Sequence, residues 1–324
     1  MVVLTGVSGF IGSCMLTYLN QHGFERDVVV VDDFYKLYKE KNFDGKAVRE
    51  FMHRDIFLEW FEQTSQAIDF VIHLGARTDT TSQETEIFEE LNLNYSKRIW
   101  NVCATRGIPL IYASSAATYG NGDQGFTDDE TLLHMLKPLN PYAVSKHQFD
   151  LWVKQQDLTP PFWAGFKFFN VYGPNEYHKG RMASVIFHTF NQIRNTGKMK
   201  LFRSHKSGIE DGHQKRDFIY VRDVIAVLYE AMQYHQSMPS GIYNLGTGNA
   251  RTFLDLAVQT FRSLGKGTDI EFVDTPLDIR DSYQYFTVAD MEKLKRTGLK
   301  MPFTSLEDGI RDYVSNYLIY EKYY

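Results

Sequence analysis

Short, unbroken apolar runs punctuate the first half of the chain at residues 2–4 (VVL), 28–31 (VVVV), 70–74 (FVIHL) and 110–113 (LIYA). Each is continuous rather than alternating, the pattern of a strand covered on both faces and therefore of a parallel sheet. Between the runs the apolar positions recur at helical spacing. Ile11, Met15, Tyr18 and Leu19 mark one amphipathic stretch, and residues 85–105 fill the interval between the third and fourth runs. Strand and helix repeating from the first residue onward predict an α/β fold, a Rossmann-type doubly wound parallel sheet.

The second half is less regular. Strands are predicted at 164–169, 218–221 and 242–245, and helices around Val224, Val227, Leu228 and Ala231 and around Leu306, Ile310, Tyr313, Val314 and Tyr317. Ser305 and Asp308 have the spacing of a capping box at the start of the last helix. The polar stretch 204–214 (SHKSGIEDGHQ) carries two glycines and reads as an exposed loop, and residues 321–324 (EKYY) read as an unassigned extension. No repeat or linker divides the chain once. The expected division is discontinuous: a dinucleotide-binding unit of 1–170 plus about 216–245, and a smaller α/β substrate-binding unit of about 171–215 plus 246–324.

Composition narrows the class. Of 324 residues 43 % are hydrophobic and 23 % charged, which excludes a disordered or fibrous chain. Lys and Arg total 35 against 40 Asp and Glu, a net charge of −5, so no basic excess points to nucleic acid or an anionic membrane. The two cysteines, Cys14 and Cys103, form neither a disulfide framework nor a metal-ligand spacing; a reducing, cytoplasmic setting and no metal are expected. The first 24 residues carry no Asp, Glu, Lys or Arg, yet they lack a basic leader and are broken by Gly6, Gly9 and Gly12, unlike a signal peptide or membrane span.

Candidate chemistry starts at residues 5–12 (TGVSGFIG), between the first run and the first helical stretch. Glycines there permit a tight turn, and the helix start offers unpaired N–H groups to a pyrophosphate. The spacing is GxxGxxG rather than GxGxxG. Asp32, 20 residues after Gly12 at the end of the second run, suits an adenosine ribose hydroxyl, so a dinucleotide cofactor is expected. Asp32 favours NAD; Lys36, Lys39 and Arg54 would offset its charge and admit NADP, although each also reads as solvated surface charge. Further on, Tyr142 and Lys146 (YAVSK) share a helical face. A lysine ammonium beside a phenol, helped by an oxidised nicotinamide, lowers its pKa from about 10 and makes it a usable base. Ser115 lies 27 residues earlier, just beyond the fourth run, where hydroxyls face the ligand crevice of a parallel sheet.

The glycine turn, the Ser-Ser-Ala motif at 114–116 and Tyr-x-x-x-Lys resemble the extended short-chain dehydrogenase/reductase superfamily over nearly the whole chain. That resemblance implies Ser115, Tyr142 and Lys146 as the catalytic set. Around the cofactor it implies Gly6, Gly9, Phe10, Ile11, Gly12, Asp32, Asp33, Lys39 and Arg54, then Leu74, Gly75, Ala76, Arg77 and Thr78, with Asn92, Lys146 and Val171. Residues 169–184 (FNVYGPNEYHKGRMAS) and 215–221 (KRDFIYV) are similar to the ADP-glyceromanno-heptose 6-epimerases. This second resemblance implies Lys179 as a second acid/base, substrate contacts at Asn170, Arg181, His188, Phe202, Arg216 and Tyr283, and tightly bound NADP, with NAD as the alternative. It implies an isomerase that inverts C6″ of ADP-D-glycero-β-D-manno-heptose through a transient 6″-ketone, on a route to lipopolysaccharide, working as a homo-oligomer with pentamers in the family. A lysine base must shed its proton near neutrality, which requires burial or a cationic neighbour; His178 and Arg181 are the expected neighbours. Three alternatives stand beside this. A C4 epimerase would not need Lys179, a dehydratase would carry Asp-Glu where Ala116 and Ala117 stand, and a noncatalytic NAD(P)-binding regulator would tolerate loss of Tyr142.

Overall fold

In the computed structural model, residues 1–280, 283–301 and 303–324 are described. Seven strands form the main sheet: β1 (Val2–Thr5), β2 (Val28–Asp32), β3 (Glu50–His53), β4 (Phe70–His73), β5 (Leu110–Ser115), β6 (Trp163–Phe168) and β10 (Gly241–Leu245). Their order is β10-β6-β5-β4-β1-β2-β3 and every neighbouring pair is parallel. The apolar runs explain why. Val2, Leu4, Val28, Val30, Phe70 and Ile72 face one core, and Val3, Val29, Val31 and Val71 face the other. Helices α1 (Phe10–Gln21) and α7 (Val221–Gln233) cover the first face; α2 (Arg54–Gln63), α4 (Tyr95–Arg106) and α5 (Pro141–Val153) cover the second. With both faces covered, alternation of hydrophobic and polar residues disappears from these strands.

The strand order reverses between β1 and β4, and at such a point the loops beyond the strand ends diverge into a ligand crevice. The remaining strands build two small sheets beside it. Strands β7 (Asn170–Tyr172), β9 (Lys215–Tyr220) and β11 (Ala250–Thr252) form one; β8 (Met199–Phe202) and β12 (Ile270–Val273) pair in the other, packed on α6 (Val185–Thr196) and α8 (Phe253–Ser263). Residues 216–220, grouped on sequence with the dinucleotide-binding unit, thus place their strand in a small sheet, while α7 directly after them packs on the main one.

Three local expectations are refined. The helical stretch between β4 and β5 is α3 (Thr85–Phe88) and α4 joined by a π-helical turn, Glu89–Asn94. At the last helix, Leu306–Asp312, Ser305 Oγ accepts from the Asp308 N–H, but the Asp308 carboxylate takes the Ser305 hydroxyl and Arg311 instead of the Ser305 N–H, so that capping box is half made. The complete box is at α8, between Thr252 and Asp255, which the sequence reading missed. The 204–214 stretch is a mostly exposed loop. The tail is packed: Asn175 accepts the Tyr324 N–H, and Thr17, Lys46 and Asn175 donate to the Tyr324 main-chain oxygen. Among the described residues no helix is long and apolar enough to cross a membrane.

Candidate active site

The glycine turn sits at the mouth of the crevice. Gly6 has φ +79°, and a Cβ there would lie 2.6 Å from the Gly75 nitrogen, so the loops after β1 and β4 touch backbone to backbone. A Cβ on Gly12 would lie 2.0 Å from the Gly6 oxygen, which is why α1 can start this close to the turn only with glycine. No side chain caps the start of α1, and the buried Ser8 hydroxyl has no hydrogen-bond partner among the described residues. Bare N–H groups, an orphan hydroxyl and a cradle that side chains would fill fit a dinucleotide pyrophosphate. Phe10 and Ile11 open the helix beside them.

At the end of β2, Asp32 accepts N–H bonds from Ser8 (2.9 Å) and Asp33 (2.7 Å). Asp33 is ringed by Lys36 at 3.1 Å, Arg54 at 3.4 Å and His53 at 3.4 Å. Burial works to raise its pKa, but Lys36, Arg54 and His53 outweigh this and hold the carboxyl below its ordinary value. Lys39 is half-buried near Asp32, and burial lowers its pKa. The acid side of this pocket is therefore screened by cations.

Ser115 closes β5, and Tyr142 and Lys146 lie one turn apart on α5, which Asn140 caps by accepting from the Ala143 N–H. Burial pushes the Tyr142 phenol above its ordinary value; the neighbouring Ser115 hydroxyl pulls it back and Asp150 adds to the rise. Lys146 is buried and donates to the Ala113 carbonyl at 2.8 Å. Burial brings its pKa down to about 8, with Asp150 opposing. Lys146 thus spends its hydrogen bond on β5, and the charges bearing on Tyr142 favour the neutral phenol.

A buried chain of hydrogen bonds ties these parts together; the sequence reading singled out Gly75, Arg77, Asn92 and Tyr142 from it but not the roles of Thr5, His73, Ser96 and Ser145 that connect them. The Gly75 N–H donates to Thr5 Oγ1 at 3.0 Å, and Thr5 Oγ1 lies 2.6 Å from His73 Nδ1. His73 Nε2 is 2.9 Å from Ser96 Oγ, which donates to the Asn92 carbonyl. With that hydroxyl's proton committed, Nε2 must donate, and in a neutral ring Nδ1 then accepts from the Thr5 hydroxyl. Burial, with the Lys146 charge, pushes its pKa down to about 3. Asn92 lies in the π turn; its side chain takes the Arg77 N–H, and donates to the Arg77 carbonyl and to Ser145 Oγ at 3.0 Å. Ser145 donates to the Tyr142 carbonyl at 2.7 Å. The polar residues Thr5, directly after the first apolar run, and His73, inside the third, were the available signal.

Lys179 sits in a 3₁₀ turn, Tyr177–Met182, with Nζ 5.0 Å from the Phe10 ring centroid. The second proton-transfer candidate is therefore brought to the glycine turn. Burial lowers its pKa and Glu176 opposes. Glu176 is itself fully buried, accepting from Ser184 N and Oγ (both 2.6 Å) and Tyr313 OH (3.0 Å). The expected cationic neighbours do not act. Asn42 donates to His178 Nδ1 at 2.9 Å, and burial, with Lys39 and Lys179, pushes the His178 pKa down to about 4, leaving it neutral. Arg181 is 70 % exposed, with Asp79 at 3.7 Å and a hydrogen bond to Thr81.

The substrate-contact candidates fall into two groups. Phe202, Arg216 and Tyr283 converge: the Arg216 guanidinium lies 5.6 Å from the Tyr283 ring and 5.5 Å from Phe253, and Phe202 meets Tyr283 edge-on at 5.9 Å. Arg216 is only 8 % exposed and donates to the Lys215 and Gln284 carbonyls. Asn170 and Val171 lie on β7, next to the end of β6, with Asn170 exposed. His188 Nε2 is 3.3 Å from the Arg181 carbonyl, which ties α6 to the Lys179 turn. Leu74, Ala76 and Thr78 line the loop with Gly75 and Arg77, half-buried apart from the exposed Thr78.

Residues 2–246 match the NAD dependent epimerase/dehydratase family. The chain is 43 % identical to ADP-L-glycero-D-manno-heptose-6-epimerase of Fusobacterium nucleatum over 334 residues, covering 100 % of both chains. Among solved structures it is similar to the Helicobacter pylori ADP-L-glycero-D-manno-heptose-6-epimerase, with a TM-score of 0.80, 26 % identity, and 97 % of this chain and 95 % of that one covered. A UDP-N-acetylglucosamine 4-epimerase from Methanobrevibacter ruminantium superposes as well, with a TM-score of 0.81, 23 % identity and coverage of 99 % and 98 %. Fold alone therefore does not separate C4 from C6 chemistry, and sequence identity over the full length does. The chain belongs to the NAD-dependent epimerase/dehydratase family and, within it, to the ADP-L-glycero-D-manno-heptose-6-epimerases.

Proposed function

We propose that the protein inverts C6″ of ADP-D-glycero-β-D-manno-heptose to the L-glycero epimer through a transient 6″-ketone, with no net redox change. The observation that carries this reading is the shielded Lys179 ammonium over Phe10 at the dinucleotide turn, a second proton-transfer group in addition to Tyr142. Inversion requires the C6″ oxygen to be served in two orientations, one for each epimer, and a single phenol fixed on a helix suits only one. Tyr142 exchanges the hydroxyl proton in one orientation and Lys179 in the other. Ser115 holds the oxygen by a hydrogen bond. When bound, the nicotinamide supplies reversible hydride exchange with C6″. Lys146 contributes its charge to the same helix face as Tyr142 and is mostly protonated at neutrality with a pKa of about 8. The Arg216 guanidinium, held between two rings beside Phe202, suits the diphosphate of the substrate. Asn170 and His188 border the heptose.

Gly6, Gly9 and Gly12 with Phe10 and Ile11 hold the pyrophosphate in this reading, Asp32 holds the adenosine ribose, and residues 74–78, Asn92 and Val171 line the remainder. The favoured dinucleotide is NADP, because Lys36, Lys39 and Arg54 screen the two carboxylates that would repel a 2′-phosphate. Chromatography of the nucleotide released by denaturing the purified protein tests this; NAD in the eluate would reverse it. A homo-pentamer is part of this reading on family resemblance alone, and sedimentation velocity tests it. The reaction is tested by proton NMR of ADP-D-glycero-β-D-manno-heptose incubated with purified protein and no added cofactor. Appearance of the L-glycero epimer supports the proposal; no conversion, repeated with NADP and NAD supplied, refutes it.

A further inference from the structure

Behind the catalytic face of α5 lies a fully buried ion pair that the chemistry above does not use. Lys167 on β6 donates to Asp150 Oδ2 at 2.6 Å, and both side chains are 0 % exposed. Taking two charges out of water is costly even when they pair, so such a pair is weak evidence for stability. Its hydrogen bonds run to the segments that carry Ser115, Tyr142 and Lys146. Asp150 stands one turn beyond Lys146 and two beyond Tyr142 on α5. Its carboxylate accepts from Tyr112 OH (3.1 Å) and Ser114 Oγ (2.7 Å) on β5, flanking the Ala113 carbonyl that takes Lys146. Lys167 donates in addition to Thr118 Oγ1 at 2.7 Å, and Thr118 Oγ1 donates to the Ser115 carbonyl at 2.8 Å. Ser114 and the Ser115 carbonyl are thus gripped from the same ion pair that anchors the helix of Tyr142 and Lys146.

We infer that Asp150 and Lys167 are positioning residues: their ion pair fixes the Tyr142–Lys146 face of α5 against the Ser115 end of β5 and keeps a carboxylate facing Lys146. This deepens the function proposed above and rests on its assignment of Ser115, Tyr142 and Lys146. The charged and titratable groups facing the pair are Tyr142, Lys146 and His147 on α5, Tyr112 on β5 with Glu130 acting on it, and Tyr119, whose ring lies 5.2 Å from Lys167 Nζ. Asp150 opposes the burial that drives Lys146 toward its neutral form.

The test compares wild type with Asp150→Asn/Lys167→Met, Lys167→Arg and Thr118→Val. Removing both charges avoids leaving one buried and unpaired. In the double variant kcat is expected to fall at least about tenfold while KM changes less than about threefold, the mark of a group acting through transition-state geometry. NMR of 13Cε-labelled lysine, which needs no substrate, should show Lys146 titrating at lower pH than in wild type. Lys167→Arg, which keeps the charge, should retain kcat within about threefold. A folded double variant with wild-type kcat and an unmoved Lys146 titration would overturn the inference. Should that variant not fold, Thr118→Val decides, since it removes one hydroxyl and keeps the pair: a fall in kcat at unchanged melting temperature is expected, and an unchanged kcat overturns it. Tyr142→Phe is the control, because turnover surviving it would overturn the catalytic assignment and this inference together.

Discussion

At the scale of single residues, two proton-transfer groups with different environments are the core of the account. Tyr142 is raised by burial and Asp150, and Lys179 is lowered by burial, so at neutral pH each is drawn toward its uncharged form. Tyr142→Phe and Lys179→Met should each reduce turnover by about 10²–10⁴-fold while dinucleotide binding persists. Single-turnover assays started separately from the D-glycero and L-glycero epimers check this, and equal residual rates with wild type in either variant would contradict it. On the alkaline side kcat should decline above about pH 8, where Lys146 loses its proton; a flat profile to pH 9.5 or so would remove Lys146 from the electrostatics. Gly12→Ala forces a Cβ toward the Gly6 oxygen and should empty the dinucleotide site, read by the 260 nm absorbance of the purified protein.

At the scale of elements, His73 joins β4 to β1 through Thr5 and to α4 through Ser96, in a network whose imidazole is held neutral by burial. Its folded pKa of about 3 lies below the ordinary value of 6.5, so the unfolded chain binds the extra proton between those limits. Stability is therefore intact above pH 6.5 and lost as pH falls, by about 2 kcal/mol at pH 5. Denaturant unfolding at pH 7 and pH 5 checks this, and His73→Gln should flatten the difference. Strands β1, β2, β4 and β5 were legible because burial on both faces leaves unbroken apolar runs. Strand β3 was not, because at the sheet edge Glu50 and Phe51 stay exposed and the run is broken. The π turn at Asn92 was hidden as well, since a single inserted residue barely alters a helical pattern. Tyr142 and Lys146 were readable from local spacing. The Thr5–His73–Ser96–Asn92–Ser145 chain joins four separate segments and exists only once the fold is made. What His178 and Arg181 do beside Lys179 could not be read from their closeness in sequence, because a hydrogen bond from Asn42 to His178 and the pairing of Arg181 with Asp79 depend on distant segments.

At the scale of the whole molecule, the main sheet carries the glycine turn and helix α5, and the turn after β7 brings Lys179 Nζ to 5.0 Å from the Phe10 ring beside that glycine turn. The tail links these parts: Lys46 donates to the Ser13 and Tyr324 oxygens, and Asn175, at the root of the Lys179 turn, holds Tyr324 on both its N–H and its carbonyl. Lys46→Met should destabilise the fold by about 1–3 kcal/mol by removing two charge-assisted hydrogen bonds, and raise amide exchange in residues 321–324. Unaltered exchange there would show that Lys46 does not hold the tail. The central claim, inversion by oxidation and re-reduction at one carbon within one site, is tested most directly with ADP-D-glycero-β-D-manno-heptose deuterated at C6″. In ordinary water the L-glycero product should keep its C6″ deuterium, because the hydrogen leaves and returns without meeting solvent. Product carrying solvent hydrogen at C6″ would mean deprotonation at carbon, and the roles given to Tyr142 and Lys179 would fall with it.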